Sequence, residues 1–326
     1  MSGHIRQLVL PLALLFAPMA CASPADPSQP PPAAHGATET FALTDAERAR
    51  TLPVRIVLPE TTAPAPVVIY SHGLGGNLDV AGYLVDYWAR SGYVVVVIQH
   101  PGSDDSVWEG KGPGAAMKAL KQAANAENYV ARLEDVHFVL DQLERLNRDD
   151  PRFAGRMDLS HIGMSGHSFG ARTTEGVSGQ SLPHAGTRFT DPRIDAAIMF
   201  SPSVSKTSDP EEQFAEVSIP WMLMTGTEDI APVGGETLED RLAVYPALPP
   251  GGKYELVLYG AQHSAFTDRK LRPGQPQRNP AHHPDIEVLS TAFWDAYLKG
   301  DADTKAWLDG PGPKSILDPK DEWERK

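Results

Sequence analysis

A Gly-x-Ser-x-Gly pentapeptide occupies residues 166–170, directly after an apolar run and before a segment that can form a helix. When a serine lies on a sharp turn between a strand and a helix, the backbone bends so tightly that side chains two residues to either side would collide. Gly166 and Gly170 lack those side chains. The pentapeptide therefore predicts a strand, a sharp turn that exposes the Ser168 hydroxyl, and a helix. Taken alone, the same five residues are also compatible with a flexible loop.

Strands and helices are predicted to alternate along the rest of the chain. Residues 67–70 and 93–98 are continuous apolar runs, which are typical of strands buried on both faces of a sheet. Further strands are predicted at 52–58, 196–200, 220–224 and 254–259, and helices at 78–90, 127–146, 236–245 and 285–298. Pro53 indicates that the strand at 52–58 is an edge strand. This alternation predicts an α/β fold with a mostly parallel sheet covered by helices on both faces.

Length and charge limit the domain organisation and the partners. The chain has 326 residues and a net charge of −13, and its size fits one large α/β domain or two small ones. We place a single domain at residues 46–300 and a C-terminal tail at 301–326. Surfaces that bind nucleic acid need clustered Lys and Arg to neutralise phosphates, so the acidic balance argues against a nucleic-acid partner.

The first 22 residues are typical of an export signal. His4 and Arg6 provide a basic start, residues 8–20 are apolar, and Ala20 and Ala22 flank Cys21 in a small-x-small cleavage pattern. The apolar run is too short, and too interrupted by proline, to span a membrane. We therefore expect an exported protein, either periplasmic or secreted, without a transmembrane helix.

Cys21 allows two interpretations. It is either removed with the signal, or it becomes a lipid-bearing N-terminus, since residues 19–21 resemble a bacterial lipobox. In the second case the protein would be a lipoprotein tethered to a membrane.

Residues 23–45 are rich in Pro and Ala and are predicted to be a disordered linker. Because Cys21 is the one cysteine of the chain, no disulfide is expected in either case.

Ser168 is the candidate nucleophile, and a serine hydroxyl needs an adjacent base at neutral pH. Among the 11 histidines, His263 is the candidate base because it follows a predicted strand and comes after the serine in the chain. His161 and His167 flank the strand before the serine and are expected to pack locally. The adjacent histidines at 282 and 283 have no recognisable ligand partners, so we predict neither a metal site nor a cofactor.

A carboxylate is expected to orient the histidine and to stabilise its protonated form. Asp229 fits because it follows the strand predicted at 220–224, and the chain order Ser–Asp–His is the one expected for this arrangement. Glu228 is the neighbouring alternative. Asp195 and Asp209 remain candidates if the acid follows an earlier strand.

Backbone N–H groups are expected to stabilise the oxyanion that forms when a serine attacks a carbonyl. The candidates are the amides of Phe169, directly after the serine, and of Leu74, in the glycine-rich loop after residues 67–70. That loop lacks the Gly-Lys-Ser/Thr ending of a phosphate-binding loop, so a nucleotide is not expected. Residues 99–125 have little periodicity and are predicted to form a substrate-facing excursion.

Three motifs together resemble the α/β-hydrolase family over residues 52–299. They are Ser-His-Gly-Leu-Gly-Gly at 71–76, Gln-His-Pro-Gly-Ser at 99–103 and Gly-His-Ser-Phe-Gly at 166–170. They resemble its dienelactone-hydrolase-like and platelet-activating-factor-acetylhydrolase-like branch, although dienelactone hydrolases themselves carry cysteine where this chain has Ser168. Residues 229–233 are similar to the acid loop of bacterial cutinases and polyester hydrolases. The resemblance implies serine ester hydrolysis through a covalent acyl-enzyme, without a cofactor.

These observations predict an exported serine carboxylesterase that acts on small or medium acyl esters. Ser168 would attack, His263 would transfer the proton, Asp229 would hold the histidine, and Leu74 and Phe169 would bind the oxyanion. A polyester or an acyl-phospholipid substrate is the alternative for the same triad. A non-catalytic binding protein on a hydrolase scaffold is a second alternative.

Overall fold

Nine strands in the described part of the chain join in one sheet. The computed structural model describes residues 27–31, 34–271 and 277–326. The strands are β1 (Thr38–Asp45), β2 (Arg50–Val57), β3 (Ala65–Ser71), β4 (Val94–Ile98), β5 (Met157–His167), β6 (Ala196–Phe200), β7 (Trp221–Glu228), β8 (Lys253–Gln262) and β9 (Glu322–Arg325). Their order in the sheet is β1-β2-β4-β3-β5-β6-β7-β8-β9. The pairings β1–β2, β2–β4 and β8–β9 are antiparallel, and the central pairings are parallel.

The helices lie between the strands. Within the described ranges they are α1 (Gly82–Arg90), α2 (Pro113–Ala123), α3 (Ala126–Asp149), α4 (Phe169–Val177), α5 (Pro210–Phe214), α6 (Leu238–Leu242), α7 (Val244–Ala247), α8 (His282–Leu298), α9 (Ala302–Asp309) and α10 (Gly312–Ile316). Short 3-10 turns occur at Asp105–Val107 and His263–Phe266. The predicted helix at 236–245 is thus divided into α6 and α7.

Strand β4 shows how the sheet is buried on both faces. Val95 and Val97 belong to the hydrophobic core that includes side chains of α1 and α8, whereas Val94, Val96 and Ile98 belong to the core that includes side chains of α3. Successive side chains of a strand point to opposite faces, so one uninterrupted apolar run supplies two cores. Each fully buried side chain of this size contributes about 2 kcal/mol. The predicted central, doubly covered strand is confirmed.

The sheet extends beyond the predicted domain at both ends. Strand β1 lies inside residues 23–45 and pairs along its whole length with β2, so the prediction of a disordered linker is wrong for residues 38–45. At the other end, α9, α10 and β9 occupy the predicted tail. Trp323 of β9 packs against Tyr254 of β8, with ring centroids 5.6 Å apart. Both additions extend the sheet at its outer edges, where few of their own side chains are buried, so their sequence patterns indicate a strand only weakly.

Strand β2 was predicted to be an edge strand but lies between β1 and β4. The register explains how it accommodates Pro53. Pairing with β4 begins at Val54 opposite Ile98, and the Pro53 carbonyl accepts a hydrogen bond from the Gln99 amide just past the end of β4. Pro53 lies opposite Ala42 in the β1–β2 pair, but its carbonyl, and with it the N–H that proline lacks, is on the β4 side. That position is just past the last paired residue of the β2–β4 ladder, so the missing N–H breaks no ladder hydrogen bond.

The predicted export signal, including Cys21, lies outside the described residues. Over the ranges that the structure describes, no helix combines the length and the apolar run that a membrane crossing requires.

Candidate active site

Strand β5 places Ser168 at the carboxyl edge of the sheet, between β3 and β6. Ser168 has φ 57° and ψ −113°, in a region that residues other than glycine rarely adopt. Such a conformation costs about 1–3 kcal/mol, so its surroundings must hold it. The Ser168 N–H donates to the Phe200 carbonyl at the end of β6, at 2.9 Å. The predicted order of strand, sharp turn and helix is present.

The two glycines of the pentapeptide are needed because backbone atoms occupy the space of their missing side chains. A Cβ on Gly170 would lie 1.9 Å from the carbonyl oxygen of Ser71, and one on Gly166 would lie 2.4 Å from that of Gly170. Both distances are far below a van der Waals contact. Helix α4 can therefore begin directly against the end of β3, and the Ser168 side chain remains on the outer side of the turn.

Three side chains from separate parts of the chain form a continuous hydrogen-bonded row. The His263 Nε2 atom lies 3.0 Å from Ser168 Oγ, and its Nδ1 atom lies 2.7 Å from Asp229 Oδ1. Asp229 directly follows β7, and His263 begins the 3-10 turn after β8. The structure therefore brings together the three side chains that the sequence analysis selected. With the carboxylate ionised, Nδ1 carries the ring proton and Nε2 accepts from the serine hydroxyl.

Asp229 is fully buried, yet its surroundings favour the ionised form. Burial alone would raise its pKa, but the hydrogen bond to His263 and the positive charge of Arg241 outweigh burial and lower the pKa to about 2. Its second oxygen accepts from Thr225 Oγ1 at 3.0 Å. A carboxylate is therefore available to the imidazole throughout the neutral range.

Arg241, in α6, was not identified from the sequence. Its side chain is buried, and Nη2 lies 3.2 Å from Asp229 Oδ1 and 3.3 Å from His263 Nδ1. Its Nε donates to the Asp229 carbonyl at 2.7 Å, and Nη1 donates to the Ser201 carbonyl at 2.8 Å. One guanidinium thus ties the loop after β7 to the end of β6. No local motif marks this arginine, because its partners lie on other elements.

The alternative acids lie away from the histidine. Glu228 is exposed, and its Oε2 accepts from Gln262. Asp195 accepts from the Ile162 N–H at 2.7 Å, near the amino end of β6. Asp209 caps α5 through the Glu211 N–H. Of the four carboxylates that the sequence analysis considered, Asp229 is the one that contacts His263.

The two amides predicted to bind an oxyanion lie beside Ser168. Leu74 and Phe169 both line the cavity that contains the serine, and neither N–H donates to an acceptor among the described residues. The loop that carries Leu74 packs tightly on the turn, since a Cβ on Gly73 would lie 3.4 Å from Ser168 Cβ. Both residues thus line the cavity that holds the Ser168 hydroxyl, and neither N–H is already used in a hydrogen bond among the described residues.

The cavity around Ser168 has a volume of about 1310 Å³. Met117 and Leu120 of α2 contribute to its wall, so the predicted excursion at 99–125 does face the cavity. Apolar side chains such as Val80 and Ile230 line other parts. Pockets for small ligands usually measure about 300–1000 Å³, so this cavity has room for more than a minimal ester.

Comparison with known proteins identifies the fold. No protein-family model matches the chain, and no curated protein matches its sequence. Among solved structures, the chain is similar to a ferulic acid esterase from Streptomyces cinnamoneus, with a TM-score of 0.60 and 22% identity, over 86% of this chain and 93% of that one. The chain has an α/β-hydrolase fold. The fold predicted from the sequence is thereby confirmed.

This α/β-hydrolase fold contains a second hydroxyl–imidazole–carboxylate row. Ser71 Oγ lies 2.9 Å from His100 Nε2, and His100 Nδ1 lies 2.9 Å from Asp135 Oδ2. All three side chains are fully buried, and none lines the cavity. Burial lowers the pKa of His100 to about 4 although Asp135 opposes this. Because Ser71 is fully buried and does not line the cavity, we interpret this row as part of the scaffold.

Three other described histidines that the sequence analysis considered hydrogen-bond to nearby backbone carbonyls. The His167 ring lies 4.6 Å from that of His263, and its Nε2 hydrogen-bonds the His263 carbonyl. His282 and His283 contact the carbonyls of Tyr259 and Ala265 through Nε2. In the part of the chain that the structure describes, no group of three or more His, Cys, Asp or Glu side chains could hold a metal ion.

Proposed function

We propose that this protein is a serine carboxylesterase that hydrolyses small or medium acyl esters through an acyl-enzyme on Ser168. The observation that carries the proposal is the row Ser168–His263–Asp229, with its 3.0 Å and 2.7 Å contacts, at the wall of a cavity beside two free amides. The similarity in fold to a ferulic acid esterase adds support at the level of the scaffold. The motifs at 71–76, 99–103 and 166–170 favour the dienelactone-hydrolase-like and platelet-activating-factor-acetylhydrolase-like branch of the fold.

In the proposed reaction His263 Nε2 takes the proton of Ser168 as Oγ attacks the ester carbonyl. Asp229 stabilises the imidazolium that results. The oxyanion of the tetrahedral intermediate accepts hydrogen bonds from the Leu74 and Phe169 amides. Collapse of the intermediate expels the alcohol, which takes the proton from His263 and leaves an acyl-enzyme. A water molecule then repeats the sequence, releases the acid and restores the serine.

The proposal includes export through the segment 1–22, with Cys21 either removed or lipidated. The Pro- and Ala-rich composition that follows this segment suits a tether between a membrane or signal and the folded domain. Mass spectrometry of the mature N-terminus checks this part. A processed chain beginning at or after Cys21 supports export, whereas an intact N-terminus contradicts it.

A polyester or acyl-phospholipid substrate is a second candidate, and one observation favours it. Ile230, next to Asp229, is 69% exposed and contributes to the cavity wall together with Pro232 and Val233. An exposed apolar rim beside a serine suits a substrate presented on an apolar surface. Product analysis with p-nitrophenyl esters of increasing chain length, a polyester film and phospholipid vesicles separates the two candidates.

Substitution of Ser168 tests the proposed nucleophile. Ser168→Ala should abolish p-nitrophenyl butyrate turnover and labelling by a fluorophosphonate probe, because no other hydroxyl contacts His263 Nε2 among the described residues. Ser205→Ala is the matched control, since Ser205 lines the same cavity without touching the histidine. It should retain turnover and labelling.

Both variants should keep the wild-type circular dichroism spectrum and melting temperature within a few degrees. Turnover by Ser168→Ala near the wild-type rate would contradict the assignment. A wild-type protein that binds ester analogues but neither hydrolyses them nor takes the probe would instead support the non-catalytic binding protein.

A further inference from the structure

Arg132, in α3, is a fully buried cation whose hydrogen bonds all go to uncharged acceptors. Its Nε donates to Thr173 Oγ1 at 2.9 Å, and Nη1 donates to Ser103 Oγ at 2.9 Å. Its Nη2 donates to Ser71 Oγ at 3.0 Å and to the carbonyl oxygen of His72. Among the described residues, no carboxylate lies within ion-pair distance of this guanidinium. Asp135 and Asp104 attract this charge from a greater distance, but its direct hydrogen bonds all go to neutral groups.

A buried charge of this kind normally has an ionic partner, because removal from water strongly disfavours the charged form. Burial lowers the pKa of Arg132 to about 9, so the side chain remains a cation at neutral pH. Asp135, one turn along α3, bonds instead to Arg48, Arg50 and His100. The interior thus holds a cation without a direct ionic partner among the described residues, and such groups are often found at functional sites.

Two acceptors of Arg132, His72 and Thr173, belong to the two segments that carry the free amides. His72 lies two residues before Leu74, in the loop after β3. Thr173 lies one turn after Phe169, the first residue of α4, and its Oγ1 donates to the Phe169 carbonyl at 3.0 Å. The guanidinium also lies over the Phe169 ring, 4.8 Å from its centroid. One side chain therefore joins both segments from inside the protein.

Hydrogen bonds around His72 fix the direction of the Leu74 amide. The His100 N–H donates to His72 Nε2 at 3.0 Å, so Nε2 carries no proton. His72 Nδ1 then carries the ring proton and donates to the Gly73 carbonyl at 2.7 Å. That carbonyl and the Leu74 N–H belong to one planar peptide group and point in opposite directions. Arg132 holds the preceding carbonyl, so two consecutive peptide groups are anchored.

We propose that Arg132 is a positioning residue of the oxyanion hole. It holds the Leu74 and Phe169 segments in register with Ser168 and contributes buried positive charge on their inner side. The inference rests on the proposed esterase function. Donors that are already oriented need no rearrangement when the oxyanion forms, so Arg132 acts on the transition state more than on substrate binding.

The test compares Arg132→Met and Arg132→Lys with the wild type on p-nitrophenyl butyrate. For Arg132→Met we expect kcat to fall on the order of 10²-fold, similar to loss of one oxyanion donor, with KM changed by less than about threefold. Arg132→Lys keeps the positive charge but loses the planar guanidinium with its several N–H donors. Its kcat should lie between those of the wild type and Arg132→Met. Arg156→Met is the matched control, because Arg156 also ties a loop through carbonyls, those of Pro59 and Thr61, but far from the cavity. It should keep the wild-type kcat.

A transition-state analogue separates positioning from general loss of structure. A trifluoromethyl ketone that adds to Ser168 forms an oxyanion, and its affinity should fall in the Arg132 variants by about the same factor as kcat/KM. The affinity of the matching methyl ketone, which stays largely uncharged, should not change by more than about threefold. Equal losses for both ketones, or a wild-type kcat in Arg132→Met, would overturn the inference.

Thr173→Val tests the positioning role of Arg132 if Arg132→Met does not fold. It removes the bond from Arg132 to α4 with little change in volume, and kcat should fall several-fold at a constant KM. Wild-type kcat in Thr173→Val and Arg132→Lys, both folded by circular dichroism, would again overturn the role of Arg132. Failure of the esterase proposal is recognised separately, since the wild type itself would then neither turn over esters nor take the fluorophosphonate probe.

Discussion

Asp229 combines two properties that normally exclude each other, complete burial and a lowered pKa. Its oxygens receive hydrogen bonds from His263 and Thr225, and Arg241 lies 3.2 Å from the oxygen that contacts the imidazole. The partners must supply more stabilisation to the carboxylate than burial removes. In the proposed reaction the Asp229 carboxylate, which is already ionised before the reaction begins, stabilises the imidazolium in the transition state.

Replacing Asp229 by asparagine tests that role. The amide keeps the shape but not the charge, and it can present an N–H to Nδ1, which favours the wrong histidine tautomer. We expect kcat for p-nitrophenyl butyrate to fall on the order of 10³–10⁴-fold, as in serine hydrolases with the equivalent change. Thr225→Val, which removes a hydrogen bond to the other oxygen, is the control and should cost much less. Comparable losses in both variants would contradict the assignment.

At the scale of single residues, local sequence signals predicted some parts of the candidate site and not others. Ser168, Asp229 and His263 each follow a predicted strand, so chain order and strand ends were enough to select them. Arg132 and Arg241 interact with residues on other elements, at separations such as 60 residues between Arg132 and His72. An arginine on an amphipathic helix is ordinarily a surface residue, and no local pattern reveals that these two are buried.

At the scale of elements, the turn between β5 and α4 depends on close approach of two backbones. Gly170 has no room for a Cβ, because the obstructing atom is the backbone oxygen of Ser71 rather than a movable side chain. A side chain there must push α4 away from the end of β3. Such a shift moves the Phe169 amide and the Ser168 hydroxyl together.

Gly170→Ala should therefore destabilise the fold by about 3 kcal/mol and reduce esterase activity at least 10²-fold. Gly114→Ala in α2 is the matched control, since a Cβ there meets no atom within 4 Å. In a helix that change should stabilise by about 0.5–1 kcal/mol and leave kcat intact. Urea unfolding and p-nitrophenyl butyrate kinetics measure both effects. Equal stability of the two variants would show that the contact with Ser71 is unimportant.

The buried central strands were predictable because their apolar runs reflect burial on both faces. The strands at the ends of the sheet were not. Strand β9 has four residues, of which Trp323 alone is buried, and β1 emerges from a Pro-rich stretch. Their positions depend on pairing with β2 and β8, which lie elsewhere in the chain or form a sheet edge, so local composition and periodicity contain little of that information.

At the scale of the whole molecule, buried and half-buried groups have pKa values that are shifted in two directions, raised for glutamates and lowered for histidines. Burial raises the pKa of Glu175 and Glu287 to about 7 and that of Glu255 to about 8. Burial also lowers the pKa of His72 and His100. The unfolded chain has values near 4.3 for Glu and 6.5 for His. The two sets therefore affect stability in opposite directions as pH changes.

The signs define a pH window for each set. The histidines are neutral in the folded state, so their contribution is lost as pH falls below about 6.5, where the unfolded chain takes up protons. The glutamic acids are held protonated in the folded state. Their contribution is complete below about 4.3 and is lost as pH rises through 7 to 8. Between pH 6.5 and 8 the glutamic acids dominate, and stability should fall as pH rises.

Glu255 provides the clearest test of this pH dependence, because both burial and neighbouring carboxylates disfavour its anion. It is buried in β8, and the antiparallel register sets it directly opposite Glu324 of β9, with Glu322 nearby. Ionisation at high pH places like charges across the pair that attaches the C-terminal strand. Glu255→Gln keeps the shape and cannot ionise. Glu109→Gln, on an exposed loop, is the control.

We expect the melting temperature of the wild type to fall between pH 6.5 and 8, and that of Glu255→Gln to fall less steeply. The variant should be close to the wild type at pH 5, where Glu255 is protonated in the folded state, and more stable at pH 8. Calorimetric scans of wild type, Glu255→Gln and Glu109→Gln measure the slopes. Parallel curves for all three would mean that Glu255 ionises without a penalty, and that β9 is not held by the protonated acid.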